Sequence, residues 1–245
     1  MAARAPYFLS PQSYCCELDD GAIILELVTG TYIGIHAESL PDLKACIQNW
    51  PNSLGIDRGA TRIESAESEN LIADLISRGI LTTSPTPERP LTMRSPGQAL
   101  ENTGYAAAGN WAPIMHLPQF AMALLQVITR HKDRRLASLI DWLRQRQRLI
   151  PPRGRTVTTA SITKMLDSFF RLRIWFYTAD RRCLFDSLVM AVFLTRKRIP
   201  CTFVIGVSTK PFRAHSWVQM SETVINDTPE NVQMFTPILV IGVSD

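Results

Sequence analysis

Along this 245-residue chain, short β-rich runs give way to stripes of apolar residues with helical period, and the exchange happens twice. Residues 13–35, "SYCCELDDGAIILELVTGTYIGI", hold β-rich runs punctuated at Asp20-Gly21 and Thr29-Gly30, which predicts an antiparallel meander of three strands. The next stretches, "AESLPDLKACIQNW" (37–50) and "IESAESENLIADLISRGIL" (63–81), read as helices. In the second, Leu71, Ile72, Leu75 and Ile76 form an apolar stripe and Gly79 is placed as a C-cap. "LPQFAMALLQVIT" reads as a further helix. After it Leu136, Leu139, Ile140 and Leu143 recur at i, i+3, i+4 and i+7, an amphipathic helix within residues 130–155. The pattern turns helical again in "RRCLFDSLVMAVFL" (181–194), then strand-like in "CTFVIGVS" and "AHSWVQM". This order of elements predicts an α+β fold.

Charge divides the chain where the pattern does. Residues 1–85 carry five Lys and Arg against eleven Asp and Glu, a net −6, and the remainder a net +10. The sign changes within "SPTPERPLTMRSP", whose prolines suit a stiff linker. Two domains joined by a Pro-rich linker are therefore expected, with boundaries at 1–84, 85–97 and 98–245. The basic stretch 130–155 sets nine Arg and Lys against two Asp. That face suits an anionic partner or plain solvation, and without aromatic interleaving it does not argue for nucleic acid. The longest nearly apolar runs fall far short of the ~18 residues of a spanning helix, so no transmembrane segment is expected. The start lacks the apolar core of a signal peptide. Five cysteines, two of them adjacent and none in a CxxC pair, argue against a disulfide framework or zinc site and for a reducing cytoplasm.

Candidate chemistry begins at Cys183, which starts the helix at 183–194. The positive end of the helix and the preceding Arg181 and Arg182 all favour the thiolate. The same position suits a small buried hydrophobe, so what decides is a base. Of the four histidines, His36 ends the small sheet, and His116 and His131 flank a helix with no acid or thiol at suggestive spacing. His215 lies in an alternating strand beside Trp217. A hairpin turning near Ser221 sets His215 across from Asp227, and a one-residue slip sets it across from Asn226 or Thr228. Asn226 is thus a reserve orienting group. His215 would take the thiol proton and Asp227 would hold the imidazole. Asp186, one turn into the helix, is aimed away from such a histidine, and Glu222 sits in the turn. Cys201 reads as buried structure, and Trp217 as a cleft wall or core.

Two resemblances add to these readings. Residues 6–84 resemble the PqqD-like recognition domain, a winged-helix-like module that binds leader peptides of ribosomally made, modified natural products. The likeness rests on element order, the "TGTYIGI" strand and the "LIADLISRGIL" helix. It implies that a leader adds a strand beside the third strand, at Tyr32, Ile33 and Ile35, with Leu71, Leu75 and Arg78 of the helix facing it. The same apolar residues suit a plain core. A winged-helix shape also suits DNA, against which the −6 charge argues.

Residues 112–240 resemble the catalytic domain of lasso-peptide B proteins, the microcin-type leader peptidases, through "CLFDSL", "FVIGV", "FRAHSWV" and the later aspartate. "HSW" stands where that family commonly has "HAW". The resemblance implies a papain/transglutaminase-like cysteine peptidase domain with the triad Cys183, His215 and Asp227, needing no cofactor and no metal. It implies a cytoplasmic enzyme that removes the leader of a lasso-peptide precursor through a thioester. The freed amine would pass to an asparagine-synthetase-like lasso cyclase, to which any use of ATP would belong. A transglutaminase-like acyl transferase and a non-catalytic leader-peptide-binding adaptor are the alternatives.

Overall fold

The computed structural model describes residues 6–51, 66–86, 93, 95–99, 112–132, 136–150, 159–177 and 182–242. Most of the Pro-rich linker, Arg181, and parts of the basic stretch 130–155 and of the expected helix 63–81 lie outside the described residues. The chain divides into two compact units. One comprises Met1–Leu91 with Val207–Arg213 and Thr236–Leu239, and the other Thr92–Gly206, Ala214–Phe235 and Val240–Asp245. No helix among the described residues is long and apolar enough to cross a membrane.

The first unit begins with β1 (Phe8–Leu9), β2 (Ser13–Leu18), β3 (Gly21–Glu26) and β4 (Thr31–His36), and continues with α1 (Leu40–Cys46), α2 (Ala66–Ser77) and β5 (Leu81–Thr82). Strands β2, β3 and β4 form the expected antiparallel meander in that order. Gly21 makes the first turn feasible. Its φ is +144°, and a Cβ there would lie 2.0 Å from the Ile35 carbonyl oxygen. In the second turn the Glu26 carboxylate accepts the N–H groups of Val28 and Thr29, each at 2.7 Å.

Helix α1 ends earlier than residues 37–50 predict. Ile47 is extended and bridges to Tyr7, and the Gln48 N–H donates to the Tyr7 carbonyl at 2.8 Å, so backbone pairing takes the last turn. Helix α2 closes as expected. Gly79 (φ +70°) donates to the Ile76 carbonyl and Ile80 to that of Leu75, the reciprocal pair of a Schellman cap. The core of this unit gathers Ile24, Ile35, Leu43, Ile47, Trp50, Ile72 and Leu75, all buried.

The other elements are β6 (Gln98–Ala99), α3 (Ala112–Lys132), α4 (Leu136–Arg148), α5 (Thr159–Phe176), α6 (Cys183–Arg196), β7 (Thr202–Thr209), β8 (Phe212–Met220), β9 (Thr223–Val224), α7 (Pro229–Val232) and β10 (Thr236–Ile241). Helix α5 was not expected. The strands align as β10-β7-β8-β9-β6. In α6 every residue from Asp186 to Thr195 is buried, so the helix is enclosed on all sides and apolar but for Asp186, Ser187 and Thr195. Phe120 of α3, Phe169 of α5 and Phe193 of α6 meet in sequence, the first pair edge-on and the second tilted, with ring centroids 5.4 Å apart. In α4 the stripe Leu139, Ile140 and Leu143 is buried as its period predicts. Its Gln147 donates to Thr195 Oγ1 at 2.7 Å, tying α4 to α6.

Trp50 is fully buried, and its indole N–H donates to Glu17 at 2.8 Å. Trp50→Ala is expected to cost about 3–5 kcal/mol of stability, read from a urea titration of the purified chain.

Candidate active site

Helix α6 starts at Cys183, so the thiol sits in the field of the helix N-terminus. Arg182, the N-cap, makes no side-chain capping bond, and its side chain is exposed. The half-buried thiol hydrogen-bonds His215 of β8. His215 Nε2 is bonded in turn to Asp227 Oδ2, which leaves Nδ1 for the sulfur. Asp227 is itself held. Its Oδ1 accepts the Thr228 N–H at 2.7 Å, and its Oδ2 accepts Asn231 Nδ2 at 2.9 Å. Thr228 caps α7, receiving the Asn231 N–H on its hydroxyl. Sulfur, imidazole and carboxylate therefore form one hydrogen-bonded chain, within one unit.

Asp227 reaches His215 by a different route from the expected cross-strand pairing. The register is Gln219↔Val224 and Met220↔Thr223, so the turn is Ser221–Glu222 and a continued ladder would set His215 across from Thr228. The ladder stops instead. The Ile225 N–H still donates to the Val218 carbonyl, but the Val218 N–H goes to Asn226 Oδ1 at 2.8 Å. That side chain replaces a backbone partner, the strand ends, and Asp227 arrives from the bend before α7. Asn226, the reserve orienting group, bonds Val218 and Ser187 in this way.

The electrostatics follow from these contacts. The His215 hydrogen bond holds the Cys183 thiol below its ordinary value, against an opposing push from burial, with help from the His215 charge and the Ser216 N–H. Burial works against a charged His215, yet bonds from Asp227 and Cys183 and their negative charges raise it to about 9. Burial also opposes ionisation of Asp227. The His215 bond, the Thr228 N–H and the Asn231 amide overcome it and depress the carboxyl. The arrangement favours a thiolate–imidazolium pair, the activated form of a cysteine nucleophile.

Aromatic rings fix the imidazole plane. Trp217 stacks near His215 at 6.3 Å and 18°, and Phe235 lies at 5.0 Å. Trp217 is also fully buried, so it is both wall and core. Gly206 of β7 makes room for these rings: a Cβ there would lie 2.8 Å from Phe235 Cβ and 2.9 Å from the Trp217 ring. Neither Gly206 nor Asn231 was singled out from sequence. For Asn231 the signal was available, four residues after Asp227 and behind a Thr-Pro helix start.

The other candidates have different employment. Asp186 is buried and accepts from Tyr177 Oη at 3.0 Å and Arg173 at 3.1 Å, facing α5 as an ion pair. Burial beside that carboxylate drives the Tyr177 hydroxyl well above its usual range. Cys201 is pushed up to about 12 by burial and accepts from Gln147, so it is a structural thiol. The Glu222 side chain is exposed, and its carbonyl accepts the Gly97 N–H. His36 is exposed at the end of β4, His116 packs its ring near Phe193, and the side chain of His131 lies outside the described residues.

Of the residues expected to meet a leader, Ile35 and Leu75 are buried in the first unit's core. Ile33 and Leu71 pack partly against that core. Tyr32 is half-buried with its ring edge-on to Phe212 at 5.5 Å, and Arg78 is exposed and paired with Asp74 at 2.9 Å. Strand β4 has β3 on one side and no strand on the other among the described residues.

Residues 121–240 match the model of the transglutaminase-like superfamily. The chain is also 45% identical over 47 residues to the Microcin J25-processing protein McjB of Escherichia coli, a match covering 19% of this chain and 23% of that protein. Just under half of the chain is thus similar to the transglutaminase-like superfamily, and a shorter stretch is similar to McjB. No solved structure matches.

The Asp227–His215 interaction carries a pH signature. Asp227 is depressed in the fold, so its stabilisation is present above the ordinary carboxylate value of 3.8 and lost as pH falls through the folded value. His215 is raised, so its stabilisation is full below 6.5 and lost as pH rises through about 9. The difference in melting temperature between the wild-type chain and Asp227→Asn is expected to be largest between pH 4 and 6.5. It should shrink on both sides of that window, and a calorimetric pH series of the two proteins checks it.

Proposed function

We propose that this chain is a cysteine peptidase that removes the leader of a lasso-peptide precursor before macrolactam cyclisation. The observation that carries the reading is the thiol–imidazole–carboxylate chain Cys183–His215–Asp227 at the N-terminus of a buried helix. In the proposed reaction the Cys183 thiolate attacks the scissile carbonyl, and His215 hands its proton to the leaving amine. Water, deprotonated by the imidazole, then releases the leader acid from the thioester. Asp227 holds the tautomer and the charge throughout. Likeness to the Microcin J25-processing protein McjB supports the substrate class.

The proposal extends to the remaining parts. A PqqD-like recognition domain at 1–84 would hold the leader, with 85–97 as linker and 98–245 as the papain-like peptidase domain. The leader would add a strand at the open side of β4, where Tyr32 and Ile33 retain surface, near Leu71 of α2 and Arg78 just after it. The product would pass to an asparagine-synthetase-like cyclase, and the setting would be the cytoplasm. A second reading, acyl transfer to an amine, is favoured by the transglutaminase-like match, since the thioester is common to both. Product mass separates the two: hydrolysis adds water and transfer adds the amine.

The test is cleavage of a synthetic precursor followed by mass spectrometry. Cys183→Ala and His215→Ala are expected to abolish cleavage, and Asp227→Asn to slow it by roughly 10²–10⁴. Cleavage by Cys183→Ala within tenfold of wild type would sink the thiol mechanism. For recognition, Ile33→Pro removes a backbone donor from β4 and is expected to weaken leader binding in calorimetry while leaving cleavage at saturating precursor.

A further inference from the structure

The hydroxyl of Ser187 stands one helical turn beyond Cys183 on the same face of α6, fully buried. It donates to the carbonyl of Ser216 at 2.9 Å and accepts Asn226 Nδ2 at 2.8 Å. Asn226 Oδ1 takes the Val218 N–H at 2.8 Å. Ser216 and Val218 flank Trp217 on β8, and Ser216 follows His215 directly while its own N–H faces the Cys183 sulfur. Two side chains thus bolt the His215 segment of β8 to α6 one turn in from Cys183, at the point where the strand ladder ends.

We propose that Ser187 and Asn226 are positioning residues that set the separation and angle between the Cys183 sulfur and the His215 ring. The inference rests on the proposed role of that pair but adds residues whose part in it is separate. Neither side chain bonds the sulfur or the imidazole, so each acts through the β8 backbone. A hydrogen bond to sulfur depends on distance and direction, and a strand segment released from α6 loses both together. The same strut explains why this asparagine lies next to the orienting aspartate without orienting the histidine.

The test reads the thiol without any peptide substrate. Iodoacetamide alkylates the thiolate, forming a sulfur–carbon bond and releasing iodide, and the mass of the Cys183 peptide reports the rate across pH. Burial raises the thiols of Cys15, Cys16 and Cys201, which keeps them slow. In the full chain, Ser187→Ala and Asn226→Ala are expected to raise the Cys183 alkylation midpoint by about one pH unit, a roughly tenfold lower rate below the midpoint. Thr195→Val, which loses a buried hydrogen bond on the same helix to Gln147, is expected to keep the wild-type midpoint. That control separates positioning from general loss of stability. A folded Ser187→Ala protein with an unchanged midpoint overturns the proposal, as does an equal shift in Thr195→Val. Ser187→Ala removes one oxygen, and Asn226→Ala reads the strut from its other end should either protein fail to fold. Loss of cleavage in Cys183→Ala bears on the peptidase reading alone, so the two can fail separately.

Discussion

One contact organises the site: the hydrogen bond between a thiol on a helix and an imidazole on a strand. It must hold to a fraction of an ångström, because reactive geometry is lost over about 1 Å. The chain meets this demand by burying α6 from Asp186 to Thr195 among helices and sheet. A helix apolar on every side cannot rotate to expose a different face without exposing core. Its polar exceptions near the thiol are the fasteners, Asp186 toward Arg173 and Tyr177, and Ser187 toward β8. Polar groups in such a place cost stability unless bonded, so each has its partner and each fixes a direction.

The imidazole is fixed by different means. Trp217 and Phe235 hold its plane, and Asp227 holds its outer nitrogen. Close approach of those rings needs Gly206, where a side chain would displace both. Asp227 in turn relies on Thr228 and Asn231 at the start of a four-residue helix. The electrostatic state of the sulfur therefore depends on a sequence that runs from β7 through α7, well beyond the residues that touch it.

Much of this was legible in the chain. Period and turn chemistry gave the meander, and Gly79 gave the end of α2 because a Schellman cap needs a residue at positive φ. Cys183, His215 and Asp227 were found as residue types in order, and Asp227 bonds the His215 ring. What sequence misplaced was the path. Counting outward from Ser221 assumed a continuing ladder, and the register instead centres between Ser221 and Glu222 and then breaks. Nothing in a two-residue period says that Asn226 will supplant a backbone partner. Residues 37–50 look helical throughout, but pairing of Ile47 and Gln48 with Tyr7 outweighs local propensity. Gly206 is invisible for a related reason, since its need arises from rings eleven and 29 residues away in the chain.

The raised imidazole poses a question for the second half of the proposed reaction, since a histidine held at about 9 is a poor base at neutral pH. The causes of the elevation answer it. Two of them, a hydrogen bond and a charge, come from Cys183, and both require the sulfur as an anion. Once the thiolate is acylated that negative charge is gone, and once the ring has given its proton to the leaving amine it stands neutral. Only Asp227 then holds the ring up, against the opposing effect of burial, so its affinity for a proton falls toward the ordinary value. It is then suited to take a proton from an entering water or amine. When the thioester breaks, the sulfur returns as thiolate and the imidazolium is favoured again. The ion pair thus prepares the nucleophile before acylation and withdraws its influence afterwards, whichever acceptor enters.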